Sequence, residues 1–244
     1  MKILVCIANV PETTAKINFT PDNNEFVSTG VTFILNPYDE IALSKAVDLT
    51  TGGGTVTVIN IGDASTEPTI RKALAIGATD AVRVNSKPRD GYFVARQIAE
   101  YVKTNPFDLI LCGRESSDSN GSSVPAMLAE LLGIPCVLFA KRLTIEGTNA
   151  TLEQEIEGGK EILSSPLPLV AGASEGMAEW KIPNMRGIMS ARTKPLVVIE
   201  PIEVPQHTTV KSYDKPIPRS SVKLIAAEDA GKLFDMLRDE KKVI

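Results

Sequence analysis

Short apolar runs recur along the first part of the chain, and each is followed by a segment with a different periodicity. The runs at 2–7, 55–61, 81–84, 107–112 and 135–139 are typical of buried strands. Between them, apolar residues recur every three or four positions, which predicts helices over 39–49, 67–75, 92–103 and 124–131. Strands that alternate with helices predict an α/β fold: a Rossmann-like parallel sheet with helices on both faces.

Two local signals add detail to this alternation. Turn residues flanked by Phe19 and Phe26 predict a hairpin or irregular excursion over 16–29. Asp39 has the short polar side chain that N-caps favour, so we expect it to begin the first helix.

The pattern changes after Ala140. Alternating residues at 142–146 and 150–156, a Gly-Gly pair and a return at 160–163 predict antiparallel hairpins. We assign the apolar segment 166–172 to the same antiparallel addition to the sheet. A loop over 174–183, a short helix over 184–192 and a final strand over 196–199 follow.

The C-terminal part of the chain has a different composition. Prolines are frequent between 195 and 218, so we expect an extended arm over 201–218, followed by an amphipathic helix over 226–240. Val222, Leu224 and Ile225 are apolar and need a surface to bury against. We therefore divide the chain into an α/β domain, 1–200, and an arm with a helix, 201–244, whose apolar residues another subunit would cover.

The stretch 112–133 joins a predicted strand to a predicted helix through small polar residues. Backbone N–H groups and the helix dipole at such a junction favour an anion, and small side chains allow a phosphate to approach closely. No Gly-Lys-Ser/Thr follows, so it is not a Walker loop. The alternative is an ordinary loop that Ser122 or Ser123 caps.

The strand order along the chain predicts where a ligand would bind. Ligands of parallel sheets bind at the carboxyl ends of the strands, near a reversal of strand order. Three loops follow predicted strands at that edge: 6–10, 61–64 and 113–124.

Charge and composition exclude several classes. A net charge of −4 argues against a nucleic-acid binder, and no apolar run approaches the roughly 18 residues of a membrane span. Because the first strand begins at Lys2, we expect no signal or transit peptide before it.

Cys6, Cys112 and Cys136 lie in or beside apolar runs without CxxC spacing, which favours reduced core thiols in a cytoplasmic protein. With His207 the single histidine, we expect neither a catalytic triad nor a metal site.

Six separated segments, in order, resemble the beta subunit of electron transfer flavoproteins over essentially the whole chain. They are the opening strand at 3–7, Asn-Pro-Tyr-Asp-Glu-Ile-Ala at 36–42, the helix that runs into Ile-Gly-Ala at 69–78, Gly-Arg-x-x-x-Asp at 113–118, an acidic stretch with paired glycines and a later Leu-Pro at 153–168, and Ile-Pro-Asn-Met-Arg-Gly-Ile-Met-Ser-Ala at 182–191.

The resemblance implies an adenine-nucleotide α-hydrolase-like fold and a heterodimer with a homologous alpha subunit. The alpha subunit of that family carries the redox-active FAD, and the beta subunit usually holds a structural AMP. Such a dimer takes electrons from dehydrogenases, for example acyl-CoA dehydrogenases of fatty acid oxidation, and passes them to a quinone reductase or another acceptor. The beta subunit is then an electron carrier and not an enzyme. In the bifurcating branch of the family, a second FAD replaces the AMP.

The resemblance also implies site residues. By position, the nucleotide contacts are Cys6, Asn36, Ile61, Gly62, Asp118, Ser119, Gly121, Ser122, Ser123 and Val124. We expect the phosphate on the backbone of 121–124 and the adenine near Cys6 and Ile61. The family is often richer in Asp, Asn, Gln and Thr after position 118, so side-chain contacts to the phosphate are left open here.

Partner contacts follow from the same resemblance. Glu155 is expected to face the flavin domain of the alpha subunit. The loop 176–184 is expected to dock the dehydrogenase through Trp180, Ile182 and Pro183, since interface anchors are often apolar or aromatic. The alternative is that Trp180 and Ile182 pack beneath the loop as core residues.

Two other classes of function are open at this point. One is an ATP-using enzyme or stress protein of the same architecture. It would need a Gly-rich loop after the first strand, but residues 8–12 contain no glycine. The other is an interaction subunit with an empty site. The residues do not decide between AMP and FAD.

Overall fold

The computed structural model describes residues 1–218 and 222–244. Its strands are β1 (Lys2–Cys6), β2 (Asn9–Pro11), β3 (Phe33–Leu35), β4 (Thr55–Ile61), β5 (Asp80–Val84), β6 (Leu109–Gly113), β7 (Cys136–Glu146), β8 (Asn149–Ile156), β9 (Gly159–Pro166), β10 (Leu169–Ala173) and β11 (Leu196–Ile199). Its α-helices are α1 (Pro37–Leu49), α2 (Glu67–Ile76), α3 (Gly91–Thr104), α4 (Val124–Leu132), α5 (Met185–Ala191) and α6 (Ala230–Asp235).

The large sheet has the strand order β11-β5-β4-β1-β6-β10-β7-β8-β9. The pairs from β11 to β7 are parallel, and only β7–β8 and β8–β9 are antiparallel. The predicted α/β fold with an antiparallel hairpin addition is therefore confirmed.

The position of β10 corrects one prediction. We expected 166–172 to continue the antiparallel addition, but β10 lies between β6 and β7 and is parallel to both. All five of its residues are buried, as an interior strand requires. The predicted strands 135–139 and 142–146 are likewise one strand, β7, which bulges where Phe139 adopts a φ of 51°.

The core explains why the strands are continuously apolar. Alternate residues of each central strand point to opposite faces of the sheet. Ile3 and Val5 pack with α1 and α2 on one face, whereas Leu4 and Cys6 pack with α3 and α4 on the other. Both faces are covered, so β1 has no polar side.

The excursion and the arm follow their predictions. An antiparallel bridge joins Phe19 to Phe26, and residues 201–218 contain no helix or strand. The terminal helix is a 3-10 turn (Ala227–Asp229), α6 and a π turn (Met236–Glu240). Leu233 and Phe234 are exposed there, as are Val222 and Leu224 before it. Across the described residues, no helix has the length and apolarity that a bilayer crossing requires.

Candidate functional site

The order of strands reverses around β1, and this reversal marks the candidate site. The chain moves outward from β1 through β4 to β5, then crosses to β6 on the other side of β1. Ligands in open parallel sheets bind in the crevice at such a point. The predicted loops 6–10, 61–64 and 113–124 follow β1, β4 and β6, so they share the carboxyl edge of three adjacent strands.

Asp39 joins two of these loops at the base of the crevice. Its Oδ2 accepts a hydrogen bond from the Ala8 N–H and its Oδ1 accepts one from the Gly113 N–H, both at 2.8 Å. The prediction that Asp39 is the N-cap of α1 is wrong, because the cap position belongs to Asn36 and Pro37 begins the helix. Proline suits a first helical position, where its missing N–H costs nothing.

The environment of Asp39 makes its charge sensitive to pH. Burial raises the pKa of this carboxyl to about 7, and the two backbone N–H groups oppose that rise. Both oxygens accept hydrogen bonds, which is the arrangement that suits the ionised form. The carboxylate therefore holds the ends of β1 and β6 in one geometry.

Asn36 shapes the loop after β6. Its Nδ2 donates to the Glu115 carbonyl at 2.9 Å, and its Oδ1 accepts from the Ser117 N–H at 3.1 Å. The side chain is only 1% exposed. Asn36 thus fixes the start of the loop that was predicted to bind the phosphate.

The loop itself presents free backbone donors. Asn120 and Ser122 adopt left-handed φ values of 50° and 47°, and turns of this kind direct N–H groups into a concave nest that suits anions. Within the described residues, no protein acceptor receives the N–H groups of Gly121, Ser122, Ser123 or Val124. These are the four donors that were predicted to hold the phosphate, and the last of them, Val124, is the first residue of α4.

The capping alternative for this loop is not supported. Ser123 occupies the N-cap position of α4 but makes no side-chain capping hydrogen bond. Ser122 donates its hydroxyl to Glu115 Oε2 at 3.0 Å. The hydroxyls do not satisfy the helix end, so its N–H groups stay available to a ligand.

The remaining predicted contacts surround this loop. Cys6 and Ile61 are buried at the ends of β1 and β4. Gly62 accepts a hydrogen bond from Arg83 Nη1 at 2.9 Å through its carbonyl. Asp118 and Ser119 are exposed on the loop. Arg83 is a buried cation that sequence reasoning missed, because nothing in a strand pattern distinguishes it from a solvent-facing arginine.

All three cysteines are free thiols in the described residues, as predicted. The Cys6 thiol and burial together raise the pKa of the Cys112 thiol, and burial raises that of Cys136 to about 11. Thiols of this kind stay protonated and unreactive. Cys6 is buried at the end of β1 and contributes an apolar wall to the site.

Two other cavities are lined by residues outside the three loops. Two open surface cavities of about 300 Å³ are formed by residues 12–32 and by α3 with residues 199–202. In the described ranges, no group of three or more His, Cys, Asp or Glu side chains could hold a metal ion.

The predicted docking loop is exposed. Trp180 is 65% exposed and Ile182 is 90% exposed, so the alternative in which they pack beneath the loop is wrong. Buried Met177 and an ion pair of 2.7 Å between Lys181 and Asp48 hold the loop on the domain. Pro183 is partly buried, and Asn184 accepts from the Gly187 N–H to cap α5.

Further apolar and charged surface adjoins this loop and the hairpin. Met185 and Met189 of α5 are exposed beside the loop. The sequence pattern predicted this short helix but indicated no role for its methionines. On the hairpin, Glu155 is exposed and pairs with Lys141 at 2.9 Å.

Comparison with known proteins assigns the chain to a family. Residues 24–204 match the model of the electron transfer flavoprotein domain. The chain is 34% identical to the electron transfer flavoprotein subunit beta of Bacillus subtilis, with all of both chains covered. It is 32% identical to the subunit of the same name in Syntrophomonas wolfei, covering 100% of this chain and 98% of that one, and 32% identical to that of Homo sapiens, covering 94% of each.

Membership implies an alpha-subunit partner and a flavin in the heterodimer. The chain belongs to the electron transfer flavoprotein family as a beta subunit, an electron carrier and not a catalytic enzyme.

Proposed function

We propose that this beta subunit holds a structural AMP at the carboxyl edge of its sheet while its alpha subunit carries the FAD. The observation that carries the proposal is the run of four free N–H groups at 121–124 beside the ends of β1, β4 and β6. Donors in a nest at a helix N-terminus suit a single phosphate group.

The residues of the site fit an adenine nucleotide. Cys6 and Ile61 supply buried apolar surface at the strand ends. Asp39 and Asn36 form hydrogen bonds with the backbone of the loops through their side-chain polar atoms. Their role is to position the backbone donors before the ligand arrives, which lowers the cost of binding.

The ATP-enzyme alternative fits the structure less well. It needs free N–H groups in a Gly-rich loop after β1, but the Ala8 N–H is already bonded to Asp39. The chain after β1 instead enters β2 at Asn9.

In the heterodimer, the flavin supplies the one- and two-electron chemistry. This chain binds the partners: Glu155 and the arm with its helix face the alpha subunit, and the docking loop receives the dehydrogenase. We propose acyl-CoA dehydrogenases as donors and a quinone reductase as acceptor. The cytoplasmic location expected from the thiols is part of the same proposal.

A pair of substitutions at Gly121 tests the nucleotide placement. A Cβ built on Gly121 meets only Ser119 Oγ at 3.6 Å and Ser123 Oγ at 4.0 Å, which is ordinary contact. Gly121→Ala should therefore keep full AMP content, whereas Gly121→Asp places a carboxylate against the phosphate and should reduce it at least tenfold.

The readout is the nucleotide released from the denatured heterodimer by each variant. Equal AMP content in the two variants would show that the phosphate lies elsewhere. Two FAD per heterodimer, with no AMP, would assign the chain to the bifurcating type.

A further inference from the structure

The arm is irregular, yet it is tied to the domain at several places. At its start, the Gln97 amide makes two hydrogen bonds with Ile202: Nε2 donates to the carbonyl at 2.8 Å, and Oε1 accepts from the N–H at 2.9 Å. Val204 is buried next to this contact. The first part of the arm is therefore fixed along α3.

Asp90 holds the next part of the arm. Its Oδ1 caps α3 by accepting the Phe93 N–H at 2.7 Å. Its Oδ2 accepts two backbone N–H groups of the arm, from His207 at 2.8 Å and Thr208 at 3.1 Å. The hydrogen bond from the Phe93 N–H lowers the pKa of Asp90 most, and the bonds from His207 and Thr208 lower it further. One carboxylate oxygen therefore caps α3, and the other binds the arm.

A second anchor lies on the excursion between β2 and β3. The Tyr213 ring stacks on the Phe19 ring with centroids 4.6 Å apart and planes 11° apart. The Tyr213 N–H donates to the Asn23 carbonyl at 2.8 Å, and Lys215 Nζ donates to Asn18 Oδ1 at 3.1 Å.

The arm joins an anchor that follows β5 to an anchor that follows β2, directly after β1 along the chain. Asp90 follows β5 at the carboxyl edge, and a Cβ on the adjacent Gly91 would approach Ser123 Oγ to 2.6 Å. The second anchor follows β2, which continues from β1. The chain from Thr208 to Tyr213 extends at most about 18 Å, the width of about four strands.

We infer that residues 206–215 form a strap across the nucleotide site, with Asp90 and Tyr213 as the residues that position it. The strap retains an adenine nucleotide in the crevice by blocking its exit. The inference rests on the proposed function. It adds a role for Asp90 and the arm in this subunit's own site, beyond any contact of the arm with the alpha subunit.

The chain offers variants that separate the strap from the helix cap. Asp90→Asn keeps one oxygen for the Phe93 N–H but replaces the acceptor of the two arm N–H groups with an amide donor. Tyr213→Ala removes the other anchor. Asp108→Asn is the matched control, because Asp108 also accepts a backbone N–H, that of Lys2 at 2.7 Å, at the opposite edge of the sheet.

The experiment measures the release of radiolabelled AMP from the purified heterodimer into excess unlabelled AMP. Asp90→Asn and Tyr213→Ala should each release AMP about tenfold faster than wild type, and Asp108→Asn should match wild type. As a second readout, bound AMP should slow tryptic cleavage after Lys211, which lies between the two anchors.

The outcomes separate the two proposals. Binding of AMP with wild-type release rates in both anchor variants would overturn the strap and leave the proposed function intact. An unchanged rate of cleavage after Lys211 would overturn the strap as well. A wild-type heterodimer that binds neither AMP nor FAD in this subunit would overturn the proposed function and the strap together.

Discussion

Replacement of Ile182 by Ala tests the docking loop. Because this side chain is exposed, its loss should change the free energy of unfolding very little, whereas loss of a docking anchor should weaken binding of the dehydrogenase. Ile182 is 90% exposed. Full burial of such a side chain is worth about 1.5–3 kcal/mol, so the tenth that is covered contributes about 0.2 kcal/mol to the free energy of unfolding. For a chain of this length, the melting temperature should fall by less than about 1 °C.

A docking anchor loses much more in the complex. If the dehydrogenase buries the side chain, removal of its outer carbons costs about 2 kcal/mol of binding free energy. This corresponds to an increase of about thirtyfold in the apparent KM for the flavoprotein in a dehydrogenase assay. Flavin content should not change.

Ile17→Ala is the matched control. Ile17 is 41% exposed on the excursion, away from the docking loop. The same substitution should lower the melting temperature by about 2–4 °C and leave KM unchanged. An unchanged KM for Ile182→Ala, or a fall in melting temperature as large as that of Ile17→Ala, would refute the docking role.

Three further predictions concern pH, the arm and the surface beside the loop. Burial raises the folded pKa of Asp39 to about 7, so this group binds more protons in the folded than in the unfolded state above the ordinary 3.8. Its own contribution to stability should therefore fall by up to about 4 kcal/mol as pH rises from 4 to 7. Asp39→Asn should flatten that dependence in urea unfolding, and an equal slope in both proteins would contradict it. Truncation after Pro218 keeps the strap contacts but removes α6. The chain should then fold with a normal melting temperature but no longer co-purify with the alpha subunit. Full pairing would contradict a role of the helix in the heterodimer. Met185→Ala should raise KM by about threefold to tenfold with no change in flavin content, because Met185 is exposed beside Ile182, and a wild-type KM would confine docking to the loop.

Much of the parallel sheet was predictable, because each central strand is buried on both faces and therefore continuously apolar. The place of β10 was not. Its five apolar residues suit an interior strand, but a sequence does not say between which neighbours a strand inserts. The chain extends the sheet outward through β8 and β9 and then returns to its interior between β6 and β7.

The donors of the candidate site were also predictable, since small residues before a helix leave backbone N–H groups free. The residues that position those donors were not. Asp is common both at an N-cap and in the first turn of a helix, so the periodicity around Asp39 could not show which role it has. The contact of Asp90 with His207 and Thr208 spans more than a hundred residues, and no local pattern reports it.

Identification of the nucleotides in the purified heterodimer tests the central claim most directly. The chain should be co-expressed with its alpha subunit, denatured, and the released nucleotides separated and quantified. We predict one AMP and one FAD per heterodimer, with the AMP lost in Gly121→Asp and retained in Gly121→Ala. One FAD with no second nucleotide, or AMP that stays at full content in Gly121→Asp, would contradict the account.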